Sequence, residues 1–348
     1  MNEDVWAEQD TTPDAVAGAL RAMLHERHTT SQGLAPARVL NLVVVVDREW
    51  KGEIANRLAR VGRYHASRTI LCAVEPGRRV LDGRAVMSFE ERGEGPGIVL
   101  ESVELDIGAD HLAGLETVID PVIFAELPTM LWSPHGHDEA VEALLGLIDV
   151  LLLDSDQVLE PAEALAQARE RLESAYVVDL AWLRTTPWRE RLAASFDPPT
   201  RRPLLEHFSR VQVRHQPAST ASALLLTGWL AARLGWAPGG LGGGEDGGLA
   251  GAARHNGTQV AVELRCAEQQ APGLAGVTVG CGEDFSLSLD RGQGGLIAKE
   301  RLEGDELQWR VLGASRGEGG ILGEGVRQAL LRDPTYGPAL EAARGFAA

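Results

Sequence analysis

The strongest constraint on the fold is one continuous apolar run. Residues 38–47 read RVLNLVVVVD, and such a β-branched run is typical of a strand that is covered on both faces. A helical pattern over residues 50–62 and a second apolar strand over residues 68–74 follow it. Strand, helix and strand in this order predict a βαβ unit, which places both strands in a parallel sheet.

The same alternation continues along the first half of the chain. Further predicted strands alternate with predicted helices, and residues 197–203 contain the prolines and the composition shift that mark a boundary. After a strongly apolar helix over residues 219–234, short strands recur at roughly 10-residue spacing, which is typical of an antiparallel meander. We therefore predict an α/β protein. An N-terminal domain with an open, mostly parallel sheet covers residues 1–199, and a C-terminal α+β domain with an antiparallel sheet covers residues 200–348.

Charge and composition exclude several classes of function. The 348 residues include 50 Asp and Glu against 33 Lys and Arg, a formal charge of −17. A general nucleic-acid binder needs a cationic surface, so we expect no nucleic-acid partner. No apolar run reaches the roughly 20 residues of a membrane span, and the acidic first ten residues do not resemble a secretory signal. With three cysteines, the chain is expected in a reducing cytoplasm, away from membranes.

Two segments invite a ligand-binding interpretation that their context does not favour. The glycine-rich tract at residues 238–248 lacks the lysine and the following helix of a phosphate loop, so a surface loop is expected. His135 and His137 form a His-x-His pair after a predicted strand, but the sequence identifies no third metal ligand. A polar loop at the carboxyl edge of a sheet, with Asp138 as a helix cap, is the favoured alternative. We predict no metal and no cofactor.

Two cysteines and one basic segment are the remaining candidates. Cys266 and Cys281 lie in predicted neighbouring strands, where a hairpin would allow a redox-sensitive disulfide; two small buried residues are the alternative. Arg63, His65, Ser67 and Arg68 form a candidate phosphate-binding segment before the second strand. Because no carboxylate is placed to orient His65, a nucleophilic role is not supported, and we predict no catalytic residues.

A tryptophan- and arginine-rich segment stands out near residue 185. Thr186 and Pro187 are typical of the N-cap and first position of a helix, so a helix is predicted to begin there. Trp182, Arg184, Trp188 and Arg189 surround this start, and Trp and Arg dominate protein–protein contact energies. They are candidates for a partner-binding surface; the alternative is a capped helix that packs into its own domain.

The segment DLAWLRTTPWRE at residues 179–190 resembles a motif of the OpcA family of glucose-6-phosphate dehydrogenase assembly proteins. Other segments agree with family patterns in the same order along residues 38–236. These are RVLNLVVVVD at 38–47, YHASRTI at 64–70, LPTMLWSP at 127–134 and LLLDS at 151–155. The chain departs from the family at Ala66, where proline is usual, and at Ser133, where a second tryptophan is usual.

The resemblance implies a non-catalytic activator. Its family binds glucose-6-phosphate dehydrogenase, favours the active oligomer, and so supports the oxidative pentose phosphate pathway and NADPH supply. The alternative from the residues is an α/β enzyme or metabolite sensor that binds a sugar phosphate at the carboxyl ends of its strands. In that alternative, Arg63, His65, Ser67 and Arg68 hold the phosphate, with Asp154 or His135 across the cleft.

Overall fold

The computed structural model describes residues 2–30, 38–62, 67–92, 95–244, 247–312 and 318–348. Its contacts divide the chain into two compact units. Unit 1 contains Met1–Leu153, Ser174–Val178 and Val326–Leu330; unit 2 contains Asp154–Glu173, Asp179–Gly325 and Leu331–Ala348. The boundary predicted at residue 199 for two folding domains stays a prediction. No described helix is both long enough and apolar enough to span a bilayer.

Unit 1 is built around an eight-stranded sheet in the order β1-β4-β5-β3-β2-β6-β7-β8. The strands β2, β3, β5, β6 and β7 pair in parallel, while β1 and β4 are antiparallel additions at one edge. The strands are β1 Asn2–Glu8, β2 Leu40–Asp47, β3 Ser67–Val74, β4 Asp82–Arg92, β5 Gly95–Ile107, β6 Thr129–Trp132, β7 Val150–Leu153 and β8 Tyr176–Asp179. The helices within its range are α1 Pro13–Thr30, α2 Lys51–Gly62, α3 Leu115–Ile119 and α4 Asp138–Leu144.

The predicted parallel sheet is therefore confirmed, and its centre has the predicted composition. Val43 to Val46 of β2 are fully buried, because helices cover a parallel sheet on both faces. β1 is an element that the sequence analysis missed. Its acidic residues, Glu3, Asp4 and Glu8, flank three consecutive apolar residues, so the segment lacks the period-two pattern that predicts a strand. Charged residues are typical of an edge strand.

Unit 2 contains a nine-stranded sheet in the order β10-β12-β13-β9-β14-β15-β16-β17, with β11 paired to β12. The strands are β9 Arg210–His215, β10 Ala237–Pro238, β11 Gly242–Gly243, β12 Leu249–His255, β13 Thr258–Cys266, β14 Leu274–Cys281, β15 Phe285–Gly292, β16 Gly295–Leu302 and β17 Asp305–Leu312. The helices are α5 Pro161–Arg171, α6 Leu180–Ser195, α7 Thr220–Leu234, α8 Glu318–Gln328, which spans the division between the units, and α9 Tyr336–Ala347.

The predicted meander is confirmed for β14 to β17, which pair in chain order. The exception is β9, which lies between β13 and β14 and runs parallel to β13. Gly235 ends α7 in the left-handed conformation, with φ +69°, as its position predicts. The glycine-rich tract leads into the strand β12 rather than into a helix, so the phosphate-loop interpretation is excluded by its context.

Candidate functional site

The helix α6, which carries the Trp- and Arg-rich segment, begins earlier than the sequence predicts. Asp179 is the N-cap, and its carboxylate accepts a hydrogen bond from the Ala181 amide at 2.9 Å. Pro187 therefore lies inside the helix, and the prediction that Thr186 caps it is wrong. The early start is stabilised because Leu180 to Leu183 are buried, and this burial outweighs the hydrogen bond that Pro187 removes.

A buried ionic cluster surrounds the first turns of α6. Arg184 donates two hydrogen bonds to Asp154, Nη1 to Oδ1 at 2.6 Å and Nη2 to Oδ2 at 2.8 Å. The same guanidinium lies 3.4 Å from Asp156. Asp156 in turn accepts hydrogen bonds from the Ser222 amide at 2.9 Å and the Ser222 hydroxyl at 2.6 Å. This cluster joins α6, α7 and the segment that begins unit 2.

Burial, and after it the repulsion from the nearby Asp154 carboxylate, together raise the pKa of Asp156 to about 7. Asp179 is the third carboxylate of this region. It accepts hydrogen bonds from the Ser155 hydroxyl at 2.7 Å and from the Tyr336 hydroxyl at 3.0 Å. Burial raises its pKa to about 6. The region therefore holds protons at a pH where exposed aspartates have lost them.

A second set of contacts lies one turn further along α6. The Arg189 guanidinium lies 3.5 Å from the centroid of the Trp182 ring, in a cation–π arrangement. It also donates from Nε to the Thr185 hydroxyl at 2.9 Å. Trp182 donates from Nε1 to Asp333 at 2.9 Å. Burial lowers the pKa of Arg189 to about 10, which leaves it charged at neutral pH.

The four predicted partner-binding residues thus lie inside unit 2. Trp182 is 2% exposed, Trp188 1% and Arg184 8%, and Arg189 is largely covered. The observed placement is the one that the alternative describes, a helix packed into its own domain. A segment rich in Trp and Arg has the same sequence pattern whether its helix is buried or exposed. The sequence alone therefore did not decide between a partner-binding surface and a helix packed into its own domain. Direct contact with a partner stays a prediction.

The candidate phosphate segment is described in part. Arg63 and His65 lie outside the described residues. Ser67 and Arg68 begin β3, and Arg68 donates to Glu101 at 2.9 Å and to the Val122 carbonyl at 2.6 Å. Its guanidinium also lies 3.6 Å from the Phe124 ring centroid. Burial lowers the pKa of Arg68. The described contacts of this arginine are internal to unit 1.

The cleft that the alternative function requires is not formed within unit 1. Ser67 and Arg68 lie at the amino end of β3, whereas His135 follows the carboxyl end of β6. Both strands are parallel to β2 and lie on either side of it, so the two ends are at opposite edges of the sheet. The prediction that His135 faces Arg68 is therefore wrong. In a parallel sheet, residues that precede a strand and residues that follow one lie at opposite edges, so the order along the chain already separates the two groups.

His135 and His137 instead lie at the opposite edge of the sheet, where the parallel strands have their carboxyl ends, close to the end of β2. Chain order reverses between β2 and β6, and ligands of open α/β sheets bind beside such a point. The His135 and Trp50 rings lie 5.2 Å apart, and His137 Nε2 lies 3.4 Å from Asp47. His137 is the N-cap residue of α4, so the prediction that Asp138 caps it is wrong. In the described part of the chain, no three His, Cys, Asp or Glu residues are grouped to hold a metal.

Cys266 and Cys281 are both free, and their predicted adjacency is wrong. β9 separates their strands. Cys266 is beside His215 at one end of β9, while Cys281 follows Gly280, which is beside Arg210 at the other end. Five residues of extended chain span about 17 Å, far beyond disulfide range. Burial raises the pKa of Cys281 to about 11, so this thiol is protonated at neutral pH.

Comparison with known proteins identifies related sequences for most of the chain. Residues 58–170 match a family described as the glucose-6-phosphate dehydrogenase subunit N-terminal domain, and residues 175–340 match its C-terminal domain. A protein of Synechocystis, provisionally named OxPP cycle protein OpcA, is 30% identical over 145 residues, 40% of this chain and 30% of that protein. A Nostoc punctiforme protein of the same name is 31% identical over 145 residues, 40% of this chain and 31% of that protein. The matched segment spans about a third of the length of these relatives.

Solved structures with a similar arrangement include two oxidoreductases. One from Sinorhizobium meliloti is 14% identical with a TM-score of 0.47, covering 89% of this chain and 94% of that chain. KijD10, a 3-ketoreductase from Actinomadura kijaniata, is 12% identical with a TM-score of 0.49, covering 89% of this chain and 96% of that chain.

Proposed function

The chain belongs to the OpcA family, and from this membership we propose that it binds glucose-6-phosphate dehydrogenase and favours its active oligomer. The observation that carries the proposal is the match of residues 58–170 and 175–340 to the two domains described for a subunit of that enzyme. On this basis the chain works as a non-catalytic partner in the cytoplasm, supporting the oxidative pentose phosphate pathway and its NADPH supply.

The described residues support a binding role more than a catalytic one. The polar cluster around Arg184 is closed: its carboxylates accept hydrogen bonds from the arginine, from hydroxyl groups and from backbone amides. Such a fully bonded network fixes the shape of a domain. Trp182, Arg184, Trp188 and Arg189 then act by holding unit 2 in the conformation that a partner recognises.

The proposed mechanism is thermodynamic linkage. A protein that binds the active oligomer more tightly than the inactive form shifts their equilibrium by the ratio of the two affinities. A tenfold ratio corresponds to about 1.4 kcal/mol, and a ratio of about 10⁴ converts a 1% population of active enzyme into 99%. The activator needs no group at the active site of the enzyme.

The test is a titration of the full chain into purified glucose-6-phosphate dehydrogenase of the same organism. NADPH formation reports the rate, and light scattering reports the mass of the complex. We expect both to rise and to saturate at the same ratio of the two proteins, while serum albumin at equal mass changes neither. Unchanged rate and mass at micromolar concentrations would exclude the assembly role.

The sugar-phosphate alternative has a separate test. A chain that senses such a metabolite by itself is stabilised by it without the enzyme, by RT ln(1 + [L]/Kd). A thermal-shift series with glucose 6-phosphate and 6-phosphogluconate measures this effect. Arg68 is already bonded to Glu101 and Val122, so we expect no shift through this residue.

A further inference from the structure

The sheet of unit 2 has one apolar face and one polar face. Residues that alternate along β9, β14 and β15 are buried, including Val211, Val213, Val279 and Leu287. Their neighbours point to the opposite face, where Gly276 and Gly280 are buried and the remaining residues, such as Gln212, Thr278 and Ser288, are half-buried or exposed. This is the pattern of a sheet with one apolar and one polar face. The cross-strand register places these outward residues in continuous rows. We call this surface, on β9 and β13 to β17, the outer face.

The outer face has the opposite charge to the chain as a whole. Six cationic residues and three acidic residues lie on it, in a chain with a formal charge of −17. The cations are Arg210, Arg214, Arg265, Lys299, Arg301 and Arg310, and the acids are Glu263, Asp290 and Glu306. A local field of this sign attracts an anionic partner that the rest of the molecule repels.

Only part of this positive charge is neutralised within the described chain. Arg265 pairs with Glu263 at 2.9 Å, and Arg214 pairs with Asp290. Arg210 and Lys299 form no ion pair with any described residue, and Arg301 donates to the Glu283 carbonyl at 3.3 Å. These three cations surround the middle of the outer face and are exposed.

The outer face is indented along β14, where two of the outward-facing residues are glycines. Gly276 and Gly280 of β14 leave room for the Arg214 and Arg210 side chains to lie across the strand; a Cβ on Gly280 would lie 2.6 Å from Arg210 Nε. Glycine at these two positions is therefore explained by the chain's own arginine side chains, which cross β14 where a Cβ would stand. Small hydroxyl residues continue the floor. The result is a shallow depression of about 570 Å³, lined by Arg210, Thr278, Ser286, Ser288, Lys299 and Arg301 among others.

We propose that the outer face is the docking surface for an acidic surface of glucose-6-phosphate dehydrogenase. This inference rests on the proposed function and adds the face and the chemistry of the contact. Arg210 and Arg301 lie in one cross-strand row with Gly280 and Ser286 between them, so their Cα atoms are separated by three strand spacings, about 14 Å. That spread exceeds one phosphate group but matches several carboxylates on a protein surface.

The experiment compares two charge reversals in the full chain. Lys299→Glu with Arg301→Glu reverses the outer face, and Arg60→Glu with Arg79→Glu reverses two exposed arginines of unit 1. Both variants change the net charge by the same amount, so a difference between them reports position. Binding to the dehydrogenase is measured by light scattering at several salt concentrations, after urea unfolding has shown equal stability of the variants.

We expect the outer-face variant to bind at least tenfold more weakly and to lose most of the salt dependence, while the control stays within about threefold of the wild type. If the wild type binds and both variants bind equally, the docking proposal is overturned and the proposed function stands. If the wild type does not bind, the proposed function is excluded, and the docking proposal that rests on it is excluded as well. Self-association that the outer-face variant abolishes would make a second copy the occupant, which also overturns the proposal.

Discussion

Each unit contains a buried cluster of arginine and carboxylate side chains. In unit 1 the arginines outnumber the carboxylates, and in unit 2 the carboxylates outnumber the arginines. In unit 1, Arg68 and Arg38 share the single carboxylate of Glu101, and both guanidiniums lie over the Phe124 ring, 3.6 and 4.1 Å from its centroid. In unit 2, Arg184 is shared by Asp154 and Asp156, and Asp179 lies nearby.

The proportions determine how each cluster responds to pH. Excess cation in unit 1 is stabilised by an aromatic face, and arginine stays charged over the physiological range. In unit 2, hydrogen bonds from Ser222, Ser155 and Tyr336 offset only part of the cost of the excess carboxylates, so burial and mutual repulsion still raise the pKa of Asp156 and Asp179. One type of buried ion pair therefore gives a cluster that is insensitive to pH and another that titrates near neutrality.

The largest expected effect is the loss of Arg184. Arg184→Met keeps most of the side-chain volume but leaves Asp154 and Asp156 buried without the guanidinium that they share. Breaking a buried ion pair on one side costs about 3–5 kcal/mol. Urea unfolding should show this decrease in the free energy of unfolding. A decrease below about 1 kcal/mol would mean that the cluster is not ionised.

The matched change in unit 1 should cost less. Arg68→Met removes hydrogen bonds to Glu101 and the Val122 carbonyl, but Arg38 still neutralises the carboxylate. We expect a loss of about 2 kcal/mol in the same urea measurement, the usual value for hydrogen bonds to charged groups. Equal costs for Arg68→Met and Arg184→Met would show that Arg38 does not compensate.

The third prediction concerns pH. Folded Asp156 has a pKa of about 7 against an ordinary 3.8, so between these values the folded chain binds more protons than the unfolded chain. Its stability therefore falls as the pH rises from 5 to 8, by on the order of 1–3 kcal/mol. Asp156→Asn should flatten this slope and leave a smaller one from Asp179. A variant with the full wild-type slope would locate the titration elsewhere.

The smallest effect is expected at the aromatic platform. Phe124→Leu keeps an apolar contact but removes the ring beneath Arg38 and Arg68. A cation–π contact contributes about 0.5–1 kcal/mol at a partly exposed site, so the free energy of unfolding should fall by about 1 kcal/mol. Thermal unfolding at pH 6 and pH 8 should give the same difference, unlike the Asp156→Asn series.

The secondary structure was predictable wherever the signal was local. β2, α7 with its Gly235 end, and the consecutive strands β14 to β17 lie close to their predicted positions. Periodicity, capping and glycine conformation act over a few residues, so the sequence pattern contains them directly. β1 was missed because its acidic and apolar residues are grouped rather than alternating, so no local pattern indicates a strand.

The site was less predictable, because its contacts join distant positions. The motif around Trp182 was recognised from the sequence, but the sequence did not show whether its side chains face the interior of the domain or the solvent. Asp333 and Tyr336 bond to α6 from more than 150 residues away. Likewise, nothing near Cys266 or Cys281 indicates that β9 is inserted between their strands.

The sequence by itself determined the α/β class, the order of most helices and strands, and the family. Periodic burial and short motifs are properties of neighbouring residues. Only the tertiary structure decided that Arg184 and Trp188 face inward, that Asp179 begins α6, and that an exposed basic face lies in an acidic chain. These depend on which distant segments pack together, and packing sets the burial and charge balance that give each side chain its role.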